Sequence, residues 1–140
     1  MNDFQRRRRI RWGLVVAAAL LTELSVIAIF FILLLGATLA GVPEIASPLS
    51  PLDYADALVS SFAMVLVFTL WLGRRIESDF VLHGVLVGVV ATLLFVALSF
   101  GMSGSLAEPA LYWVAHGLKI LGGATGGLLA ARRRAWAQSL

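Results

Sequence analysis

The chain has 140 residues, of which 60% are hydrophobic and only 14% are charged. A soluble domain typically carries about 25% charged residues, so a water-soluble globule of this length could not bury so much apolar surface. The chain is long enough for four membrane spans of roughly 20 residues each. It contains no cysteine, which excludes disulfides, thiolate metal sites and cysteine nucleophiles.

Four long apolar runs follow one another along the chain. They cover residues 12–40, 53–73, 80–101 and 110–131, between a basic head (1–11) and a basic tail (132–140). Membrane β-strands need only about 9–11 residues of alternating polarity, whereas these runs are longer and do not alternate. The first run is too long for a signal-peptide core, so we interpret it as a retained helix. The sequence therefore predicts an all-α membrane protein, a bundle of four transmembrane helices.

The net charge of +3 comes from arginines that flank these runs on one predicted side. They are Arg6, Arg7, Arg8, Arg9 and Arg11 in the head, Arg74 and Arg75 after the second run, and Arg132, Arg133 and Arg134 after the fourth. The two remaining connections carry Glu44 and Glu108 instead. Because short arginine-rich flanks stay in the cytoplasm, both termini are predicted to be cytoplasmic. We interpret the arginines as determinants of topology, in preference to lipid-headgroup or nucleic-acid recognition.

Two opposite charges are predicted to lie deep in the membrane. Glu23 follows Arg11 by twelve residues, and Lys119 precedes Arg132 by thirteen. At about 1.5 Å per residue, both lie roughly 18–20 Å from the cytoplasmic boundary. An unpaired charge at the bilayer centre costs about 2.5–3.5 kcal/mol on insertion scales. The matched depth predicts a contact between Glu23 and Lys119, either as a structural ion pair or as a proton-coupled site.

Smaller polar groups are expected near the same depth. They are Ser60 and Ser61 on the second run, Thr92 on the third, and His116 one turn from Lys119 on the fourth. His116 is interpreted as a buried histidine that is hydrogen-bonded to a neighbouring helix, and the alternative is a proton relay through its imidazole. Two histidines at different depths with few carboxylates nearby make a poor metal site, so neither a metal nor a cofactor is expected.

Two acidic residues open the second run, at the end away from the arginines. Asp53 and Asp56 are interpreted as acids of the first helical turn, which complement the helix dipole. The alternative is an outward-facing vestibule that attracts cations.

Glycines are spaced for close helix packing on the last two runs. The pairs are Gly84 and Gly88 on the third run, and Gly122 with Gly126 and Gly123 with Gly127 on the fourth. Glycines four residues apart let a neighbouring backbone approach closely inside a membrane. The third and fourth helices are therefore predicted to pack through these faces, within one chain or between two copies.

No enzymatic signature is present. The segment 122–127 lacks the Gly-Lys-Ser/Thr ending of a phosphate loop and lies inside an apolar run. The sequence predicts a non-enzymatic membrane protein of structural or accessory role, either a subunit of a larger complex or a homo-oligomer. Its expected partners are the lipid bilayer and a protein, and not nucleic acid. The alternative is a small proton-coupled transporter in which Glu23 exchanges protons.

Three motifs resemble a group of small uncharacterised bacterial four-helix membrane proteins. They are Gly73-Arg74-Arg75, Phe80-x-x-His83-Gly84-x-x-x-Gly88 and Gly122-Gly123-x-x-Gly126-Gly127. This resemblance implies a multi-pass protein of the bacterial inner membrane and supplies no activity. A weaker similarity is to the small multidrug-resistance transporters, which have four short helices and one acidic residue midway along the first, here Glu23. In that family the carboxylate exchanges protons with cationic drugs.

Overall fold

The computed structural model describes residues 10–42, 44, 50–104 and 109–139, so Arg6, Arg7, Arg8 and Arg9 lie outside the described residues. Within that part of the chain the backbone forms four α-helices and no strand. They are α1 (Trp12–Leu39), α2 (Pro51–Gly73), α3 (Phe80–Ser103) and α4 (Ala110–Ala137). The predicted all-helical class is confirmed. By length and composition, α1, α2 and α3 are long and apolar enough to cross a membrane.

The start of α2 is set by a side-chain cap. The Ser50 hydroxyl accepts a hydrogen bond from the backbone N–H of Asp53 at 3.2 Å. Pro51 follows at the first helical position, where its missing N–H leaves nothing unsatisfied. The cap therefore starts α2 two residues before the apolar run at residue 53.

The helices surround a central axis, with α1 and α4 on opposite sides. Both α2 and α3 pack against α1 and, more extensively, against α4. Within the described part of the chain, the backbones of α1 and α4 are not in contact. Side chains of α1 and α4 can therefore meet only across the centre of the bundle.

The close approach of α4 to its neighbours depends on glycine. A Cβ atom added to Gly88 of α3 would lie 2.6 Å from the Lys119 carbonyl oxygen, and one added to Gly122 of α4 would lie 2.7 Å from the Phe62 carbonyl oxygen. Real Cβ atoms essentially never come within 3.0 Å of such atoms. Gly84 and Gly123 face each other across the contact between α3 and α4. These glycine contacts lie within one chain and involve α2 as well as α3.

The buried core is small and the outer surface is apolar. The buried hydrophobic cluster consists of Val15, Ala18, Ala19, Val65, Leu72, Ile76, Val87 and Ala91. By contrast, large side chains such as Phe31 and Ile32 point outward and are 61% and 69% exposed. A helix that is apolar on all sides is typical of a membrane span. The exposed surface therefore fits hydrocarbon better than water.

Candidate functional site

Glu23 of α1 and Lys119 of α4 meet at the centre of the bundle. The Lys119 ammonium Nζ donates a hydrogen bond to Glu23 Oε1 at 2.7 Å. The Lys119 and Glu23 side chains are only 3% and 9% exposed. Because the backbones of α1 and α4 do not touch, the contact is made by the side chains alone. The structure thus brings together the two charges that were predicted at matched depth.

Lys119 also contacts the third helix. Its Nζ lies 4.7 Å from the ring centroid of Phe95 on α3. A cation held over an aromatic face is stabilised by the ring quadrupole, by about 0.5–2 kcal/mol depending on its solvation. The positive charge of Lys119 is therefore stabilised by a carboxylate on α1 and by an aromatic ring on α3.

Of the four predicted polar residues, Ser60, Thr92 and His116 lie in three different environments, and Ser61 lines the cavity described below. The Ser60 hydroxyl donates to Asp56 Oδ1, one turn earlier on α2. The buried Thr92 hydroxyl makes no hydrogen bond with any described residue. His116 packs against aromatic rings, with its centroid 5.1 Å from Phe95. Neither Ser60 nor Thr92 is hydrogen-bonded to the central charges, so these two do not extend the ion pair into a polar layer.

Asp53 and Asp56 are buried within the bundle. The Tyr112 hydroxyl of α4 donates to Asp53 Oδ2 at 2.6 Å, and the Ser60 hydroxyl donates to Asp56. Only Asp53 belongs to the first turn of α2, so the helix-dipole interpretation does not account for Asp56. The spacing of Asp53, Asp56 and Ser60 puts all three on one face of α2. That spacing is the sequence signal that could have identified this buried face.

A cavity of about 330 Å³ lies beside the ion pair. Side chains from all four helices line it, and Glu23 is not one of them. The lining runs along α4 from Lys119 to Tyr112 and Pro109, a distance of about 15 Å. Its polar groups come from Asp53, Asp56, Ser61, Ser99, Tyr112, His116 and Lys119, and its apolar wall includes Val26, Ile27, Phe30, Ala57, Phe95 and Ala115. The cavity therefore extends from Lys119 toward the ends of α2 and α4 that lie away from the arginines.

The opposite end of the bundle is basic, and arginine side chains there are hydrogen-bonded to backbone carbonyls. The Arg11 guanidinium donates to the Arg75 carbonyl at 3.3 Å, and the Arg134 guanidinium donates to the Ile76 carbonyl at 2.7 Å. The backbone N–H of Arg11 donates to His83 Nε2. Three of the arginines on which the predicted topology depends thus gather at one end. A second cavity of about 360 Å³ lies there, lined by Leu70, Gly73, Arg74, Ala130, Arg133 and Arg134.

Among the residues that the structure describes, no group of three or more His, Cys, Asp or Glu side chains is arranged to hold a metal ion. Comparisons of the chain with protein-family models, with curated proteins and with solved structures found no match. The resemblances drawn from the glycine motifs and from Glu23 therefore stay predictions.

Proposed function

We propose that the chain is a non-enzymatic protein of the bacterial inner membrane with a structural or accessory role, and that all four of its helices cross the bilayer with both termini in the cytoplasm. Three helices qualify as spans by composition. The fourth is less apolar because its inward side carries His116, Lys119 and glycines. Its 28 residues extend about 42 Å, which exceeds the roughly 30 Å hydrocarbon core.

The packing of α4 supports this assignment. It lies against both α2 and α3, so a membrane that surrounds those helices also surrounds α4. Its outward side chains are apolar, and Leu121 and Leu128 are 59% and 52% exposed. The one charge in its middle, Lys119, is paired with Glu23. A bilayer can therefore accommodate α4 without an unpaired charge.

The single observation that carries the structural role is the buried contact between Glu23 and Lys119. A carboxylate that exchanges protons during transport needs access to water, whereas Glu23 is covered by Lys119 and does not line the cavity. A contact of opposite charges at the centre holds α1 and α4 at one relative height. The pair thus supports a bundle in which α1 and α4 keep one relative height. Such a bundle would bind to a larger complex or to a second copy of the chain.

The proton-coupled transporter is the second candidate, and the cavity favours it. The cavity reaches Lys119, and Glu23 lies directly behind that ammonium. A rotation of the Lys119 side chain would expose the Glu23 carboxylate to the cavity. Glu23 would then be the proton-exchanging group.

Two measurements on the tagged chain distinguish these functions. The first is affinity purification from native membranes in mild detergent, with mass spectrometry and sizing of the product. The second is proton flux into proteoliposomes that contain the wild type or Glu23→Gln. A stoichiometric partner or a defined oligomer, without Glu23-dependent flux, is the expected result. A monomer without partner, with a flux that Glu23→Gln abolishes, would replace the structural role by the transporter.

A further inference from the structure

We propose that the cavity beside Lys119 is a binding site for a small organic cation, a protonated amine with an apolar body. The volume of about 330 Å³ lies in the range of about 300–1,000 Å³ typical of small-molecule pockets. Its wall is mostly apolar, and a few polar side chains converge on it from α2, α3 and α4. This binding does not depend on whether Glu23 exchanges protons.

The charge balance of the lining selects a cation. The titratable lining groups are Asp53, Asp56, Tyr112, His116 and Lys119. Lys119 is already neutralised by Glu23 at 2.7 Å. Asp56 is 7% exposed, receives a hydrogen bond from the neutral Ser60 hydroxyl, and forms no ion pair with any described residue. A buried carboxylate without a counter-charge is costly, and a bound ammonium would supply that charge.

A second polar group points to an occupant independently of the acids. Ser61 lines the cavity and is only 3% exposed. Its hydroxyl makes no hydrogen bond with any residue that the structure describes. Buried polar side chains are normally hydrogen-bonded. A ligand N–H group in the cavity would give the Ser61 oxygen the partner that it lacks.

The remaining wall fits an apolar or aromatic body. Phe30 of α1 and Phe95 of α3 line the cavity, and the Phe95 ring is stacked with Tyr112 at a centroid distance of 6.4 Å. Aromatic faces attract cations as well as apolar groups. An anion of the same shape would instead meet the Asp56 carboxylate, and a neutral molecule would leave that carboxylate without a counter-charge. The walls therefore set the shape of the ligand and Asp56 sets its charge.

The proposal is tested by isothermal titration of the purified full-length chain in lipid nanodiscs, with empty nanodiscs as the blank. The probes are phenethylammonium and 2-phenylethanol, which share an apolar body and differ in charge. We expect saturable binding of phenethylammonium, with 2-phenylethanol at least about tenfold weaker. Asp56→Asn should weaken the binding of phenethylammonium by a similar factor. Glu77→Gln, which removes an exposed carboxylate at the arginine end, should leave it unchanged.

A second variant covers the case in which Asp56→Asn does not fold. Ala57→Leu adds bulk to the cavity wall and keeps both carboxylates, so it should also weaken phenethylammonium binding. Binding of the two probes with equal affinity would overturn the proposal, because it would show partition without charge recognition. So would wild-type affinity for phenethylammonium in a folded Asp56→Asn or Ala57→Leu protein. These outcomes leave the structural role untouched, since that role is tested by purification and proton flux.

Discussion

Lys119 connects residues on three helices through a single side chain. From α4 it reaches Glu23 on α1 and lies over Phe95 on α3. A shorter side chain could not cross the gap between two helices whose backbones are not in contact. The long apolar stem of lysine lets its ammonium reach the carboxylate. The stability of the bundle is therefore expected to depend on a lysine at position 119.

Removing either charge of the pair should destabilise the protein. Lys119→Met leaves the Glu23 carboxylate buried without its cation, and Glu23→Gln leaves the ammonium without its anion. Breaking a buried pair from one side typically costs about 3–5 kcal/mol. We expect each single variant to unfold at a lower temperature than the wild type in detergent, as measured by circular dichroism.

The double variant tests whether the two charges interact. Glu23→Gln/Lys119→Met replaces both charges by neutral side chains of similar size, a change that can be nearly harmless. It should therefore recover much of the stability that each single variant loses. The difference from additivity gives the coupling energy of the pair. Additive losses would contradict the contact and favour a Glu23 that faces water.

For single residues, the number of positions that separates Glu23 and Lys119 from the flanking arginines was enough to predict that these two charges lie at the same depth. The same count did not predict the environment of Asp56 or the hydrogen bond of Tyr112. Asp56 was interpreted from its place near a helix start, and the inward face that its spacing with Asp53 and Ser60 indicates was not recognised. The Tyr112–Asp53 hydrogen bond joins residues 59 positions apart, so it depends on the bundle arrangement. Side-chain depth can be predicted from sequence more readily than side-chain partners.

At the scale of a single element, α4 contains glycines in opposite environments. A Cβ atom on Gly123 would lie 2.8 Å from the Gly84 carbonyl carbon, whereas one on Gly117 would meet nothing within 4 Å. Inside lipid no hydrophobic effect between helices compensates for forcing them apart. The tightness of the contact between α3 and α4 is therefore expected to depend on Gly123 and not on Gly117.

Alanine substitutions at these two sites should change stability in opposite directions. Gly123→Ala forces α3 and α4 apart, and overpacking of this kind costs about 1–3 kcal/mol. Gly117→Ala has room for its methyl group, and alanine is favoured over glycine inside a helix by roughly 0.5–1 kcal/mol. Thermal unfolding in detergent compares the two variants directly. Equal shifts in unfolding temperature for the two variants would show that Gly123 is not at a close contact.

Helix ends were less predictable from sequence than helix centres. The fourth apolar run ends at residue 131, but α4 continues to Ala137. The apolar run stops at the first arginine of the tail, whereas the helix does not. Arginine is a good helix former, and cations near a helix C-terminus are favoured by its dipole. The arginines therefore belong to the helix and not to a separate tail.

At the scale of the whole molecule, the arrangement of the helices is what the sequence could not supply. Matched depths predict that Glu23 and Lys119 meet. They do not distinguish an arrangement in which α1 and α4 are adjacent from one in which these helices lie on opposite sides. The structure places α1 and α4 on opposite sides, with α2 and α3 between them. That arrangement puts the ion pair on the central axis and leaves the cavity beside it. The cavity is a product of the tertiary fold, so no single run of residues predicts it.

The orientation of the whole bundle can be tested with two cysteines, since the natural chain has none. Ser103 is exposed at the end of α3, and Ser139 is exposed after the end of α4. If α4 crosses the membrane and the arginine end faces the cytoplasm, a membrane-impermeant maleimide should label Ser103→Cys on intact spheroplasts. Ser139→Cys should be labelled only after the membrane is opened, and the cysteine-free wild type gives the background. Labelling of both sites from one side would mean that α4 does not cross, and the reverse pattern would place the termini outside.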